Sequence, residues 1–178
     1  MIQFSGSGRK YITEILSNLG LVPQFGIPYS TIEQISRMSE AAATISVCGT
    51  LGSYFGNGLE QKYGVPYVKT IQPHGIKGMD SWLRELGKVV GKEKEVEDYI
   101  VKAKKEIKPE LEDIRKKLKG KKAVVGMGPS FSHNYIRVLK ELGIEVVWGI
   151  SWHFDQHYDH GSVPESSIAL SNRDKDIP

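Results

Sequence analysis

The feature that most constrains the fold is a repeated alternation of short apolar segments with amphipathic helical segments. Predicted strands occupy residues 1–4, 21–27, 42–48, 65–71, 123–126 and 145–150, and predicted helices occupy 11–19, 30–38, 54–63, 79–90 and 135–142. Strands and helices that alternate with short connections are typical of a parallel sheet covered by helices. The sequence therefore predicts an α/β fold, a Rossmann-like parallel sheet flanked by helices, with the start of a second similar domain.

The alternation is interrupted once, and the interruption suggests three parts. Residues 1–92 are predicted to form a Rossmann-like domain whose N-terminal strand is truncated. Residues 93–119 form a predicted connecting helix, which Pro109 should kink or divide in two. Residues 120–178 begin a second Rossmann-like domain, but two strands and a tail cannot make a covered parallel sheet. We therefore expect the chain to be a fragment of a larger protein.

Local signals predict several helix boundaries. Ser30 as N-cap and Glu33 three residues later form a predicted capping box. Gly64 is the expected C-terminal stop of the helix over 54–63. Glycines in 6–8, and the small residues of 49–53, are expected to form turns that precede helices.

Composition excludes several classes of protein. No apolar run is long enough to span a bilayer, and residues 1–3 lack the basic start of a signal peptide. A single cysteine excludes an intrachain disulfide and favours a reducing cytoplasm. The net charge of +3 is small, and the basic residues of 102–122 alternate with acidic ones, as on a solvated helix face. Neither a nucleic acid nor a membrane is an expected partner.

The single cysteine, Cys48, is the last residue of a predicted buried strand and is followed directly by Gly49. In an open α/β sheet, ligands bind at the carboxyl ends of the strands. This position favours a thiol that faces a binding crevice. The other interpretation is a buried structural thiol, because a free cysteine is often a small core residue.

Two turns and one loop contain further candidate residues. His74 follows a predicted strand, where it is either a hydrogen-bond donor to a cluster sulfide or substrate, or a plain turn residue. Residues 126–128 precede a helix as a phosphate loop would, but they lack the full G-x-G-x-x-G pattern. His153, His157 and His160 have the i, i+4, i+7 spacing of a metal site. A polar loop with solvated histidines is the favoured interpretation of that segment, and its role stays open.

Three segments, in chain order, carry the motifs of one known protein family. Residues 45–68 combine a strand that ends in cysteine, a helix, and the tail E-x-K/R-Y-G-x-P at 60–66. Residues 73–87 are similar to the family segment G-I-x-x-T/M-x-x-x-L-R. Residues 120–149 are similar to the region G-K-[RK]-V…G-G…L-x-x-L-G-[MI]-E-V-V that opens the next domain. With these motifs the chain resembles the nitrogenase component 1 proteins. That family includes catalytic α-type subunits, the scaffold on which their cofactor is assembled, and nitrogenase-like reductases.

The resemblance implies a function in nitrogen fixation or cofactor biosynthesis. Cys48 would be the thiolate ligand to an iron of an iron–sulfur cluster or an iron–sulfur–heterometal cofactor, chemistry that suits a soft ligand. Gly49, Thr50, His74 and Gly128 would be the other cofactor-binding residues, with no catalytic residue assigned. Electrons would come from an ATP-dependent iron–sulfur reductase protein, and a homologous β-type subunit would be the second partner.

Two departures from the family weigh against a dinitrogen-reducing subunit. Catalytic molybdenum-type subunits carry Arg-Ser shortly after the cysteine, whereas this chain has Thr50 and Leu51. The later glycine pair is Gly128-Pro129 here, with Phe131 near the position of an arginine. Two cationic groups near an anionic cofactor are thus missing. An oxidoreductase subunit is the main hypothesis, and the alternatives are a non-catalytic assembly scaffold or a metal-free small-molecule-binding α/β module.

Overall fold

The computed structural model describes residues 6–26, 30–47, 49–151 and 168–170. Its helices are α1 (Gly6–Asn18), α2 (Ile32–Ser36), α3 (Gly49–Tyr63), α4 (Gly75–Val90), α5 (Glu93–Leu118) and α6 (Pro129–Glu141), with a 3-10 turn at Arg37–Glu40. Its strands are β1 (Lys122–Met127), β2 (Glu145–Ser151) and β3 (Ile168–Leu170). In this part of the chain no helix combines the length and the apolar character that a membrane crossing needs.

The chain forms two compact units. The first unit contains the residues up to 70 together with 81–102, and the second contains 71–80 together with 103–178. The domain boundaries at 92 and 119, which were inferred from the sequence pattern, stay a prediction.

The core of the first unit consists of apolar side chains at helical spacing. Its buried residues include Ile12, Leu16 and Leu19 of α1, Trp82, Leu83 and Leu86 of α4, and Val96 and Ile100 of α5. Spacings of three and four residues place such side chains on one face of each helix. The burial of these residues in α1 and α4 confirms the helical periodicity predicted for 11–19 and 79–90.

The strands predicted in the first unit are much reduced. Among the described residues, the segments 42–48 and 65–71 pair in parallel at an isolated bridge between Thr44 and Tyr67, and Ser46 takes part in another isolated bridge. Thr44 N donates to Pro66 O at 2.7 Å, and Val68 N donates to Thr44 O at 2.9 Å. Residues 21–26 form no strand, as expected where Pro23 has no N–H to donate to a ladder. The prediction of full strands was wrong in these segments, and residues 1–4 lie outside the described part.

The capping box lies one residue later than predicted. Thr31 Oγ1 accepts a hydrogen bond from Gln34 N at 3.1 Å, and Gln34 Oε1 accepts one from Thr31 N at 3.0 Å. The hydroxyl of Ser30 instead donates to Phe25 O at 2.6 Å. Because this contact occupies the Ser30 side chain, the next residue caps the helix, and Glu33 is not the reciprocal partner.

Four helices (α1, α3, α4 and α6) begin earlier than predicted, and α3 ends where it was expected. Helix α1 begins at Gly6 and α3 begins at Gly49, so the turns predicted over 6–8 and 49–53 were wrong. Gly64 has φ +72°, and its N–H donates to Glu60 O at 3.0 Å. A left-handed glycine directly after a helix is a common C-terminal stop, so that prediction is confirmed.

The second unit is built on a parallel sheet with the strand order β1-β2-β3. In the register between β1 and β2, Val125 pairs with Gly149 and Met127 pairs with Ser151. The third strand corrects the expectation of only two strands after residue 120. Val125, Ile136 and Val146 form a buried cluster between the sheet and α6, as an α/β arrangement requires.

Helix α5 is a single helix of 26 residues that continues through Pro109. Proline removes one backbone hydrogen bond from a helix, and here that loss does not divide it. Of the apolar residues at helical spacing in α5, Val96 and Ile100 are buried, whereas Ile107 is 42% exposed. The division at Pro109 was therefore wrong, and tight packing is limited to the first turns.

Candidate functional site

Cys48, the central residue of the predicted site, lies outside the described residues, as do His153, His157 and His160. The backbone on both sides of Cys48 is described. The parallel bridge at Thr44 comes four positions before it, and helix α3 begins at the next residue, Gly49. The segment that carries the cysteine therefore connects a strand pairing to the start of a 15-residue helix.

Two buried glycines bring α3 close to the segment that precedes Cys48. A Cβ added to Gly52 would overlap the side chain of Ser46, and one added to Gly56 would lie 2.6 to 2.8 Å from atoms of the Tyr67 ring. Contacts below 3.0 Å are essentially never made by real Cβ atoms. The first two turns of α3 can therefore pack here only because these positions carry no side chain.

Glu60, the first residue of the tail E-x-K-Y-G-x-P, fixes the chain that follows α3. Its Oε1 accepts a hydrogen bond from Tyr67 N at 3.1 Å, and its Oε2 accepts one from Lys69 Nζ at 2.7 Å. The Lys69 hydrogen bond, followed by that from Tyr67 N, lowers the pKa of Glu60 from its ordinary 4.5. Glu60 is thus an ionised anchor that holds the strand segment carrying Tyr67 beside the helix.

His74, the second predicted site residue, lies in the second unit just before α4. Its ring packs against two aromatic rings of α6, with centroids 5.7 Å from Phe131 and 5.6 Å from Tyr135. Within the described residues its buried Nδ1 has no hydrogen-bond partner. Burial, and secondarily the positive charge of Arg137, lowers the pKa of His74 from its ordinary 6.5. The lowered pKa favours the neutral imidazole at pH 7, and one ring nitrogen has no partner among the described residues.

Gly128, another predicted site residue, is the N-cap of α6, with φ −63° and ψ 161°. The hydroxyl of Ser132, which is fully buried, lies 2.9 Å from Met127 O, 3.1 Å from Gly128 O and 3.2 Å from Ile150 O. It can donate to one of these carbonyls at a time. The carboxyl ends of β1 and β2 are thus joined to the first turn of α6, a role that sequence reasoning missed.

His74 and Gly128 therefore meet the same helix, α6. Gly128 caps its N-terminus, and Phe131 and Tyr135 in its first two turns contact the His74 ring. Phe131, which stands near the family's arginine position, is an aromatic partner of His74 rather than a cation. Two predicted site residues are thus both associated with α6, and their binding of a cofactor stays a prediction.

A buried polar network lies beside His74 and was missed from the sequence. Asn134 Nδ2 donates to Gln72 Oε1 at 3.0 Å, and the Arg137 guanidinium donates to Asn134 Oδ1. Gln72 Nε2 is buried with no described hydrogen-bond partner. Across the described ranges no three His, Cys, Asp or Glu side chains come together as a metal site. An amide or imidazole network of this kind can orient or hydrogen-bond a ligand, but it is not itself a metal centre.

A separate cavity of about 840 Å³ lies in the first unit. Its walls include apolar side chains, among them Leu16, Phe25, Met38, Ile45 and Leu59, and also charged ones, Arg9, Glu33, Arg37 and Glu40. Apolar walls with a few polar groups are typical of small-molecule pockets, which measure roughly 300 to 1,000 Å³. The described residues that line the cavity include none of the predicted site residues.

Comparison with known protein families shows to which family the chain is related. The model of the family described as nitrogenase component 1 type oxidoreductase matches residues 4–172. The chain belongs to this family. The resemblance found in the sequence is thereby confirmed for nearly the whole chain.

Curated relatives of this chain include nitrogenase alpha chains and a cofactor biosynthesis protein. The nitrogenase molybdenum-iron protein alpha chain of Methanosarcina barkeri is 34% identical over 120 residues, which are 66% of this chain and 22% of that protein. The alpha chain of Clostridium pasteurianum is 28% identical over 154 residues, 84% of this chain and 28% of that one. The nitrogenase iron-molybdenum cofactor biosynthesis protein NifE of Methanosarcina barkeri is 34% identical over 122 residues, 66% and 26% of the two chains. The chain thus spans about a quarter of the length of these relatives.

Solved nitrogenase structures share the fold. A structure titled nitrogenase Cp1 at pH 5 superposes with a TM-score of 0.72 at 22% identity, covering 92% of this chain and 32% of that one. A second, titled nitrogenase Cp1 at pH 6.5, gives a TM-score of 0.71 at 24% identity, with coverages of 81% and 28%. The predicted α/β, Rossmann-like fold class is confirmed for this nitrogenase component 1-type chain.

Proposed function

We propose that this chain is part of a nitrogenase component 1-like oxidoreductase subunit whose iron–sulfur cofactor is ligated by Cys48. The observation that carries the proposal is the packing around that position. The chain passes from the Thr44 bridge into α3, and Gly52 lets the helix approach Ser46. A cysteine next to a helix N-terminus has a lowered thiol pKa, and the thiolate is the form that binds iron.

The chemistry of His74 fits the same proposal. An imidazole whose buried nitrogen has no hydrogen-bond partner among the described residues can hydrogen-bond a cluster sulfide or an oxygen atom of a cofactor. The family resemblance also proposes Gly49, Thr50 and Gly128 as cofactor-binding residues. The bound cofactor would supply the redox chemistry, and the protein residues would hold and orient it.

The proposal includes the partners and the compartment. Electrons would be delivered by an ATP-dependent iron–sulfur reductase protein, and a homologous β-type subunit would complete the assembly. Both follow from similarity to the molybdenum-iron protein alpha chains. A cytoplasmic location is proposed with them.

The test measures iron and acid-labile sulfide in the anaerobically purified full-length protein and in two variants. Cys48→Ala removes the thiolate, and Val47→Ala makes a small change at the neighbouring half-buried residue. We expect Cys48→Ala to lose the cofactor iron and sulfide while Val47→Ala keeps them. Equal metal content in the wild type and Cys48→Ala would refute Cys48 as a ligand.

A second candidate function is a non-catalytic scaffold for assembly of the nitrogenase cofactor. It is supported by the 34% identity to the biosynthesis protein NifE. It is also supported by Thr50, Leu51 and Phe131, which replace polar or cationic family residues. A scaffold would lose iron in Cys48→Ala as an enzyme would, but the loaded wild type would show no substrate turnover with the reductase protein.

The third candidate is a metal-free small-molecule-binding module, favoured by the cavity in the first unit. It requires that a well-folded, cluster-supplied protein contain no iron and that Cys48→Ala have no effect. The metal analysis above therefore separates it from both cofactor proposals.

A further inference from the structure

A basic cleft in the second unit has no role in the function proposed above. It is lined by Lys77, Arg115, Lys119, Arg137, Lys140, Glu141 and Gly143. Its volume is about 790 Å³, within the size range of small-molecule pockets. Five cations against one carboxylate give the cleft a formal charge of +4.

The one carboxylate of the cleft is held by the backbone of α4. Glu141 Oε2 accepts a hydrogen bond from Ile76 N at 2.8 Å, and Oε1 accepts one from Lys77 N at 3.0 Å. These N–H groups belong to the first turn of α4, so Glu141 caps that helix. Lys77 and Lys119 form no ion pair with any carboxylate in the described ranges. The positive charge of these lysines is therefore not locally balanced.

Both arginines of the cleft are oriented by contacts with the protein. The Arg137 guanidinium donates to Asn134, which is bonded to Gln72, and these two amide side chains are buried. Arg115 Nε donates to Glu141 O at 2.7 Å. A guanidinium has five N–H donors, so this contact leaves four on Arg115 for a ligand. The groups that would bind an anion are thus partly preorganised, which lowers the entropic cost of binding.

We propose that this cleft binds a multivalent oxyanion of the phosphate class, such as pyrophosphate. Cations held around one concavity repel each other, and the attraction of each cation to a bound anion offsets this repulsion. Arginine forks bind two phosphate oxygens at once, and lysines contribute point charges. Because the cations come from the start of α4, the end of α5 and the end of α6, they surround a compact anion on several sides.

The test is a calorimetric titration of the full chain with pyrophosphate at low ionic strength, where charge attraction is least screened. Lys77→Glu and Lys119→Glu reverse cleft charges, and Lys105→Glu makes the same change at an exposed α5 residue outside the cleft. We expect each cleft variant to bind pyrophosphate about tenfold more weakly or worse, since each loses a charge-assisted contact. The Lys105→Glu variant should stay within about twofold of the wild type.

Two results would overturn the proposal. One is the absence of saturable pyrophosphate binding by the wild type, and the other is equal weakening by all three variants, which would indicate attraction to net charge alone. Circular dichroism establishes that each variant is folded. Lys119→Met keeps the aliphatic stem and removes the charge, and its affinity should be intermediate between the wild type and Lys119→Glu. Tighter binding of poly-glutamate than of pyrophosphate would also refute a small-anion site, in favour of an acidic macromolecule.

Discussion

The close approach of α3 to Tyr67 makes a quantitative prediction for two glycines of one helix. Alanine is favoured over glycine in a helix interior by about 1 kcal/mol, so Gly58→Ala, in open space, should stabilise the protein by about that amount. Gly56→Ala makes the same propensity gain, but its Cβ would lie 2.6 to 2.8 Å from three ring atoms of Tyr67. Because Tyr67 is 7% exposed, its ring has little room to move. Overpacking of a core costs about 1–3 kcal/mol, so Gly56→Ala should be less stable than Gly58→Ala by about that amount.

Urea denaturation of the two variants beside the wild type measures this difference, provided that the slope of the unfolding free energy with urea is unchanged. A second comparison removes the cause. In a Tyr67→Ala background the added Cβ meets no ring, and Gly56→Ala should then be as stabilising as Gly58→Ala. Equal stability of Gly56→Ala and Gly58→Ala in the wild-type background would refute the reasoning, because the predicted steric contact would have no energetic consequence.

Three further predictions concern charge and hydrogen bonding. The pKa of Glu60 is lowered in the folded protein, so the ionised carboxylate stabilises the fold above its ordinary pKa, and this stabilisation is lost as pH falls through the folded-state pKa. Urea unfolding at several pH values should therefore show that the stability difference between the wild type and Glu60→Gln shrinks below pH 4.5. The pKa of His74 is also lowered, so the unfolded state binds the proton more tightly, and the free energy of unfolding should fall as pH drops below 6.5. His74→Phe should flatten that pH dependence. An NMR titration of the His74 ring should have its midpoint below 6.5. In Arg137→Met the titration midpoint of His74 should rise, but by less than half of the way to its ordinary pKa, because burial rather than the Arg137 charge is the main cause of the lowered pKa. Ser132→Ala should destabilise the second unit by about 1 kcal/mol in thermal or urea unfolding, since a buried hydroxyl donor is lost.

The elements that the sequence predicted well are those fixed by local signals. Helical spacing of apolar residues and a glycine stop identified α3 and its end at Gly64, and the segment from β1 to β2 was recognised in order. The start of α3 was missed because nothing local distinguishes 49–53 as turn or helix. The capping residue was missed because the Ser30 hydroxyl bonds Phe25 O, a contact outside the helix.

Strand pairing and the site depended on contacts that no local pattern encodes. The segments 42–48 and 65–71 are rich in apolar and β-branched residues, yet their described residues form isolated bridges and no strand, since strand formation depends on cross-strand neighbours. His74 was singled out because it follows an apolar segment. Its partners Phe131 and Tyr135, and the bond between Gln72 and Asn134 across 62 positions, come from distant sequence. The burial that makes His74 chemically interesting therefore could not be predicted.

The tail E-x-K-Y-G-x-P has a structural explanation that limits what a match to it can mean. Glu60 anchors Tyr67 and Lys69, and Gly64 provides the left-handed stop of α3. These residues would be required in any member of the family that packs this helix against this strand segment, whether or not it turns over a substrate. The tail therefore supports the fold around Cys48 more strongly than it supports catalysis. A distinction between enzyme and scaffold must instead come from positions where this chain departs from the family pattern, such as Thr50, two residues after the cysteine. Exchanging that residue for arginine is the informative change once iron binding by Cys48 has been measured.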